Sequence, residues 1–167
     1  LHKVSTKGSE SEFIDSGIIK DYDISPDQDY LLVKKIKKPF SYLVPYYRFP
    51  YEIKTINLDN NIETIIADIS IDEVRPIGFD ATRVGIRSVS WRDDMGSELY
   101  WVEANDNGDP KVEVDGRDIV YTLESPFNGN KNELLRTNLR FSNIRWSTGN
   151  YAILTERLWK NRNEVTS

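Results

Sequence analysis

The sequence predicts an all-β fold, and three observations lead to this prediction. Short apolar or alternating segments recur from one end of the chain to the other, and turn-forming residues separate them. No ten-residue window carries apolar residues at the 3.6-residue spacing of an amphipathic helix. The chain has 167 residues, 38% of them hydrophobic, with 4 Trp, 9 Tyr and 6 Phe. It is therefore long enough to bury a sizeable core.

The predicted strands follow one another at short intervals. In chain order they cover residues 18–24, 30–36, 51–58, 63–69, 86–91, 98–104, 118–124, 132–137, 143–146 and 151–156. Residues 1–5 and 10–14 are two further candidate strands, joined across Gly8. The segments between strands suit tight turns, because Pro26 fixes φ and both Gly108 and Gly129 permit a positive φ.

Three segments of the chain resemble one another: residues 23–33, 89–102 and 144–154. In each, an apolar strand ends in a polar turn and a second apolar strand follows, with Ser25, Trp91 and Trp146 in equivalent positions. Two further strands separate each copy from the next, so one repeat holds four antiparallel strands, which is typical of a β-propeller blade. The sequence therefore predicts a partial β-propeller built of four-stranded antiparallel blades.

The repeat divides the chain into four units. Residues 1–17 are expected to end a preceding blade, 18–85 and 86–142 to form full blades, the first with long loops, and 143–167 to begin a following blade. A propeller buries its blade faces only when the ring closes. We therefore expect a piece of a longer protein whose exposed blade edges could pair with another copy of the chain. A self-contained β-sandwich domain of a surface protein is the alternative.

Composition excludes several classes of function. With 22 Lys and Arg against 27 Asp and Glu, the net charge of −5 argues against nucleic-acid binding, and no apolar run is long enough to span a membrane.

The absence of cysteine excludes disulfides and a thiol nucleophile, and the single histidine, His2, lies at a chain terminus, where a catalytic triad is not expected. Residues 105–109 are similar to the start of a calcium loop, but Pro110 and Gly116 stand where that loop requires glycine and glutamate, so the segment is interpreted as a turn. We predict no catalytic residue, metal or cofactor in these residues, and no enzymatic activity of their own.

One segment carries a family resemblance. Residues 42–51 read Tyr-Leu-Val-Pro-Tyr-Tyr-Arg-Phe-Pro-Tyr, and together with Ser25-Pro26-Asp27 they resemble the propeller region of the prolyl oligopeptidase family of serine peptidases. The likeness is greatest to the branch that contains glutamyl endopeptidase and its bacterial relatives. It continues through residues 76–81, 85–91, 99–104, 108–110 and 155–157.

The resemblance implies a parent chain with a downstream α/β-hydrolase domain that carries a Gly-x-Ser-x-Gly nucleophile motif. That motif is absent from these residues, so the expected role is non-catalytic: gating substrate access and contributing to peptide selectivity. A stand-alone propeller that serves as a binding scaffold is the alternative. The expected source is bacterial, with a periplasmic or secreted parent.

Two long connections, residues 37–50 and 70–85, hold or adjoin the candidate substrate-binding residues. An acidic peptide side chain needs a cation, and arginine binds a carboxylate through two parallel hydrogen bonds. The candidates are Arg83, Arg87, Arg48 and Arg75. The alternative, and the favoured interpretation, is that these arginines hold the loops through Glu73, Asp80 or loop carbonyls.

Aromatic residues are concentrated in and beside the first of these connections. Tyr42, Tyr46, Tyr47, Phe49 and Tyr51 could form a platform for the peptide substrate or pack against the downstream hydrolase domain, and packing is favoured. The four tryptophans, Trp91, Trp101, Trp146 and Trp159, are expected to lie in the core or between blades.

Overall fold

The computed structural model describes residues 1–8, 10–148 and 150–167. Ser9 and Gly149, which fall inside the first and last predicted units, lie outside the described residues. In chain order the strands are β1 His2–Val4, β2 Ser11–Phe13, β3 Ile18–Ile24, β4 Tyr30–Ile36, β5 Tyr51–Asn57, β6 Glu63–Ile69, β7 Arg87–Trp91, β8 Glu98–Ala104, β9 Asp118–Glu124, β10 Asn132–Thr137, β11 Arg140–Ser147, β12 Tyr151–Leu158 and β13 Asn163–Thr166. Short 3₁₀ turns span Tyr46–Arg48 and Trp159–Asn161, and the described residues contain no α-helix.

The strands form four antiparallel sheets in which neighbours in the sequence are also neighbours in the sheet. Sheet 1 contains β1 and β2, sheet 2 contains β3–β6, sheet 3 contains β7–β10, and sheet 4 contains β11–β13. The prediction of an all-β protein with four-stranded antiparallel sheets is confirmed. The described residues form four sheets rather than the two of a simple sandwich.

The last sheet differs most from the prediction. β11 begins at Arg140, so the predicted boundary between residues 142 and 143 falls inside this strand. β13 was not predicted, because its sequence Asn-Glu-Val-Thr contains one apolar residue and shows no pattern of burial. It pairs with β12 from Thr155 to Leu158.

The sheets pack face to face in chain order, which explains why the central strands are apolar at successive positions. In β4, Leu32 packs with sheet 3, whereas Leu31 and Val33 contribute to a separate cluster with residues of the first segment. In β8, Leu99 packs towards sheet 2 and Val102 towards sheet 4. Successive side chains of a strand point to opposite faces, so a strand buried on both faces is apolar at successive positions.

Tryptophans fill the contacts between sheets. Trp91 and Trp101 are buried between sheets 2 and 3, and Trp91 donates its indole N–H to the carbonyl of Asp23 at 3.2 Å. Trp146 packs with Tyr100 between sheets 3 and 4, with ring centroids 5.4 Å apart. The packing role is confirmed for these three. It is wrong for Trp159, which is 53% exposed because it follows the end of β12, beyond the sheet.

The outer faces of the stack remain uncovered in the described residues. Val4 and Phe13 are exposed on sheet 1, and Tyr151 and Ile153 are exposed on sheet 4. The four sheets therefore form an open stack, and the residues that the structure describes do not close it into a ring.

The two ends of the strands differ in their connections. At one end, the short-turn end, strands are joined by residues 25–29, 58–62, 92–97 and 125–131. At the other end, the long-loop end, the connections include residues 37–50, 70–86 and 105–117. All four candidate arginines lie at the long-loop end.

Candidate functional site at the long-loop end

The first two long connections lie side by side. The backbone N–H of Asp72 donates to the carbonyl of Arg48 at 3.0 Å, and the Ser41 hydroxyl donates to the Glu73 carboxylate. Residues 37–50 and 70–86 therefore form one surface, although they are separated in the sequence by a β-hairpin.

This surface exposes many apolar side chains. Those exposed in the two connections are Phe40, Tyr42, Leu43, Tyr46, Tyr47, Val74, Ile77, Phe79 and Val84. We call this set the apolar loop surface. Monomeric proteins rarely leave so many large apolar groups together in water, so the apolar loop surface has the character of an interaction site.

The five predicted aromatic residues separate into two groups. Tyr42, Tyr46 and Tyr47 are exposed, whereas Tyr51 is buried in the core between sheets 2 and 3. Phe49 is half-buried and stacks on Phe40 with ring centroids 5.7 Å apart. Three of the five are therefore available to a partner or a peptide, and the other two anchor the segment.

Two cations converge on the buried ring of Tyr51. The Lys20 ammonium lies 3.7 Å from the ring centroid and the Arg83 guanidinium carbon 5.9 Å from it. Lys20 also donates to the carbonyl of Tyr47 at 3.3 Å. Among the described residues, neither cation has a carboxylate oxygen within salt-bridge distance. We call Lys20 and Arg83 the Tyr51 cation pair.

The electrostatics of the cation pair are unfavourable without an anion. Burial lowers the pKa of Lys20, and the positive charges of Lys34 and Arg83 lower it further, against an opposing effect of Asp21. Burial raises the pKa of the Tyr51 hydroxyl, against an opposing effect of Arg83. Two half-buried like charges beside the same ring repel each other, and a bound carboxylate would relieve this repulsion.

A β-bulge places Lys20 at this site. β3 pairs with β4 through Ile19 opposite Lys35 and Asp21 opposite Lys34, which leaves Lys20 as the extra residue. A bulge redirects a side chain that regular alternation would place elsewhere. Sequence analysis therefore missed Lys20, since strand periodicity gives no sign of a bulge. The one available signal was a lysine among the apolar residues at the start of a strand.

The other three candidate arginines have different surroundings. Arg75 pairs with the buried carboxylate of Asp72, three residues before it. Arg48 ends the first 3₁₀ turn, and its buried Nε has no hydrogen-bond acceptor among the described residues. Arg87 pairs with Asp118, which is fully buried. Arg75 and Arg87 thus have carboxylate partners, as the loop-holding interpretation expects, although the partners differ from the Glu73 and Asp80 named there.

Asp118 belongs to a buried ionic network that joins sheets 3 and 4. Its carboxylate accepts from the Arg140 guanidinium at 3.0 Å and from the backbone N–H of Phe141 at 2.7 Å. Arg140 also donates to Asp106 at 2.7 Å and to the carbonyl of Asp80 at 2.7 Å. We call Arg87, Asp106, Asp118 and Arg140 the ionic network. It fixes the second long connection against the third and fourth sheets.

The part of the chain that the structure describes holds no cluster of three or more His, Cys, Asp or Glu able to bind a metal ion. It also holds no helix with the length and apolar character needed to cross a membrane.

Two curated plant proteins are similar to this chain. One is named probable glutamyl endopeptidase, chloroplastic, from Oryza sativa subsp. japonica, and is 39% identical over 146 residues, which are 86% of this chain and 16% of that protein. The other carries the same name in Arabidopsis thaliana and is 37% identical over 146 residues, 86% of this chain and 15% of that protein. The chain thus spans about one-sixth of the length of these relatives.

No family model matches the chain, and no solved structure matches it. The chain is therefore similar to one part of each of two proteins named as probable glutamyl endopeptidases. Both relatives are plant proteins named as chloroplastic, so they do not support the expected bacterial origin and leave a periplasmic or secreted location unconfirmed.

Proposed function

We propose that this chain is a non-catalytic β-propeller segment of a larger serine peptidase, in which it gates substrate access and contributes to peptide selectivity. The observation that carries the proposal is the similarity of 86% of the chain to relatives named glutamyl endopeptidase. The serine nucleophile would lie in a downstream α/β-hydrolase domain, and these residues would supply no step of the acyl transfer.

The open stack supports the propeller part of the proposal. Sheets 2 and 3 would be the full blades proposed for residues 18–85 and 86–142, and sheets 1 and 4 would belong to the partial blades proposed at 1–17 and 143–167, although sheet 4 begins at Arg140. In the parent, further blades would cover the exposed apolar groups of sheets 1 and 4. The isolated chain would instead self-associate through these surfaces, so its apparent mass in size-exclusion chromatography should rise with concentration.

The part of the apolar loop surface that lies in residues 37–50 is proposed to dock on the hydrolase domain. Packing of Tyr42, Tyr46 and Tyr47 against that domain would bury surface that is exposed here. The proposed contact would bring the long-loop end, including Tyr51 and its cations, close to the catalytic centre. Peptides would then reach that centre past residues 37–50 and 70–86.

The Tyr51 cation pair is proposed to bind an acidic side chain of the peptide. Arg83 retains its predicted role here, and Lys20 joins it. Arg48, whose Nε has no acceptor among the described residues, would border the same site. Arg75 and Arg87, whose charges are neutralised by Asp72 and Asp118, would hold the loops in place. The half-buried setting would strengthen attraction for a carboxylate relative to a fully exposed cation.

Peptide hydrolysis by the full-length parent tests this assignment. Arg83→Gln and Lys20→Gln should each lower kcat/KM for a glutamyl substrate by about tenfold, the effect of losing one charge-assisted hydrogen bond. Hydrolysis of a matched substrate with glutamine in place of glutamate should change little. Lys131→Gln is the control, because Lys131 pairs with Glu103 away from the loops. Equal losses for both substrates would contradict acidic recognition and assign the two cations a structural role.

A further inference from the structure

An open cavity lies at the long-loop end, apart from Tyr51. It is a cavity of about 470 Å³ between sheets 3 and 4. The connections β6–β7, β8–β9, β10–β11 and β12–β13 each contribute to its lining. This volume is within the range of small-molecule sites.

One side of the cavity is apolar. Ile77, Phe79, Leu139 and Leu158 contribute to it. Ile77 is 97% exposed and Phe79 is 63% exposed, so their apolar surfaces are in contact with water rather than packed into the core. A ligand with a large apolar group would bury surface that the fold itself leaves exposed.

Asp80 fixes the shape of the cavity. Its carboxylate accepts the backbone N–H groups of Trp159 at 2.7 Å and Lys160 at 3.1 Å, and its carbonyl accepts from Arg140. Asp80 has a left-handed backbone, with φ of 65°. A non-glycine residue in this conformation requires support from its surroundings, and such residues are concentrated at functional sites.

The charge on the cavity lining is positive, although the whole chain is acidic. Arg117 and Arg140 line the cavity and both contact Asp106. Lys111 and Lys160 also line it, and neither has a carboxylate within salt-bridge distance among the described residues. The Asp80 carboxylate, the one acidic group of the lining, is occupied by two backbone N–H groups.

We infer that this cavity binds a carboxylate carried next to a large apolar group, such as the C-terminal leucine or phenylalanine of a peptide. The apolar group would contact Phe79, Leu139 and Leu158, and the carboxylate would lie between Lys111 and Lys160. Unpaired cations beside an exposed apolar wall complement both parts of such a ligand. The inference uses none of the residues around Tyr51.

Calorimetric titration of the full-length protein tests the inference. N-acetyl-leucine should bind at least tenfold more tightly than N-acetyl-leucinamide, which lacks the carboxylate, and than N-acetylglycine, which lacks the apolar group. N-acetyl-glutamic acid α-amide, which has only a side-chain carboxylate and no large apolar group, should also bind weakly. Tighter binding of that compound than of N-acetyl-leucine would overturn the inference, as would equal binding of the acid and the amide.

Substitutions locate the binding. The double variant Lys111→Gln/Lys160→Gln should weaken binding of N-acetyl-leucine by about tenfold and leave that of the amide unchanged, and Lys131→Gln should change neither. Phe79→Ala should weaken both. Unchanged affinity in the double variant, or no binding by the unmodified protein, would overturn the inference. Because Lys20→Gln and Arg83→Gln should leave this affinity intact, failure here is distinguishable from failure of the proposed peptide selectivity.

Discussion

The two ends of the sheet stack differ in how far their polar and charged groups are paired with one another and in how many large apolar side chains their connections expose. At the short-turn end, the Ser25 hydroxyl donates to Asp27 at 2.6 Å and accepts the N–H of Tyr30 at 2.9 Å. Ser97 of the neighbouring sheet donates to the same carboxylate at 2.7 Å. At the long-loop end, by contrast, Lys20 and Arg83 have no carboxylate within salt-bridge distance among the described residues, and nine large apolar side chains are exposed in residues 37–50 and 70–86.

This difference indicates a division of roles. Turns whose polar groups satisfy one another add stability and leave little to offer a ligand. Loops with unpaired cations and exposed apolar groups are unfavourable on their own, and they become favourable only with a partner. The ionic network also lies at the long-loop end, but it resembles the turns of the short-turn end, because its charged groups neutralise one another.

The largest expected effect is loss of the ionic network. Asp118→Ala would leave Arg140 and Arg87 buried with one carboxylate fewer, which should lower the free energy of unfolding by about 3–5 kcal/mol. Urea denaturation monitored by tryptophan fluorescence measures the change. The control is Asp21→Ala, which removes an exposed pair with Lys34 and should cost less than about 1 kcal/mol.

Similar losses in the two variants would contradict the structural role of the network. If Asp118→Ala does not fold, Asp118→Asn provides the measurement, because asparagine can still accept from the N–H of Phe141. Its loss should lie between those of the alanine variant and the control.

A smaller effect is expected at the short-turn end. Ser25→Ala removes a buried hydroxyl that accepts the N–H of Tyr30, so the free energy of unfolding should fall by about 1–2 kcal/mol. Chemical denaturation measures it, and the proposed glutamyl selectivity of the full-length parent should not change. A change in selectivity would mean that the two ends are not separate in function.

The carboxylate of Asp27 should add a smaller, pH-dependent contribution. Burial raises the pKa of Asp27, but hydrogen bonds from Ser25 and Ser97 outweigh this effect and place the pKa below its ordinary value. Its contribution to stability is therefore complete above the unfolded pKa of about 4 and is lost as the pH falls through the lower folded pKa.

Asp27→Asn should remove this part of the pH dependence. Because Asp27 is solvent-exposed, screening should keep the difference between the variant and the unmodified protein below about 1 kcal/mol. Unfolding free energies from urea titrations at a series of pH values between 2 and 6 measure it. Parallel curves for the two proteins would show that Asp27 does not contribute.

The sequence predicted the positions of the strands more accurately than the contacts of the candidate site, because strand patterns are local whereas the contacts of the site are not. Continuous apolar segments such as 30–33 required burial on both faces, and the structure places Leu32 on one side of β4 and Val33 on the other. A strand that is buried on both faces can be recognised from its own successive residues, because the alternation of side chains along a strand is a local property. β13 was missed because it forms by pairing with β12 and buries none of its side chains, and the exposed position of Trp159 was missed because it depends on where β12 ends.

The site depends on contacts between segments that are distant in the sequence. Lys20 reaches Tyr51 through a bulge, and Arg87 pairs with Asp118 from another strand of the same sheet. No spacing rule links these residues along the chain. The arginines could therefore be listed from the sequence, but which of them lacked a carboxylate partner depended on the fold.

The smallest effect on stability is expected from the apolar loop surface. Tyr42→Ser and Leu43→Ser alter side chains that are largely exposed and outside the core, so the free energy of unfolding should change by less than about 0.5 kcal/mol. The same variants should nevertheless lower the peptidase activity of the full-length parent, because the proposed docking on the hydrolase domain would lose its contacts.

Ile65→Ser is the matched control, since Ile65 is an exposed apolar residue of β6 outside the two connections. It should leave both stability and activity nearly unchanged. Denaturation and peptide hydrolysis measured on the same preparations separate the two properties. A loss of stability in the loop variants equal to that of Ser25→Ala would mean that the long-loop end supports the fold as the short-turn end does, and the contrast between the two ends would no longer hold.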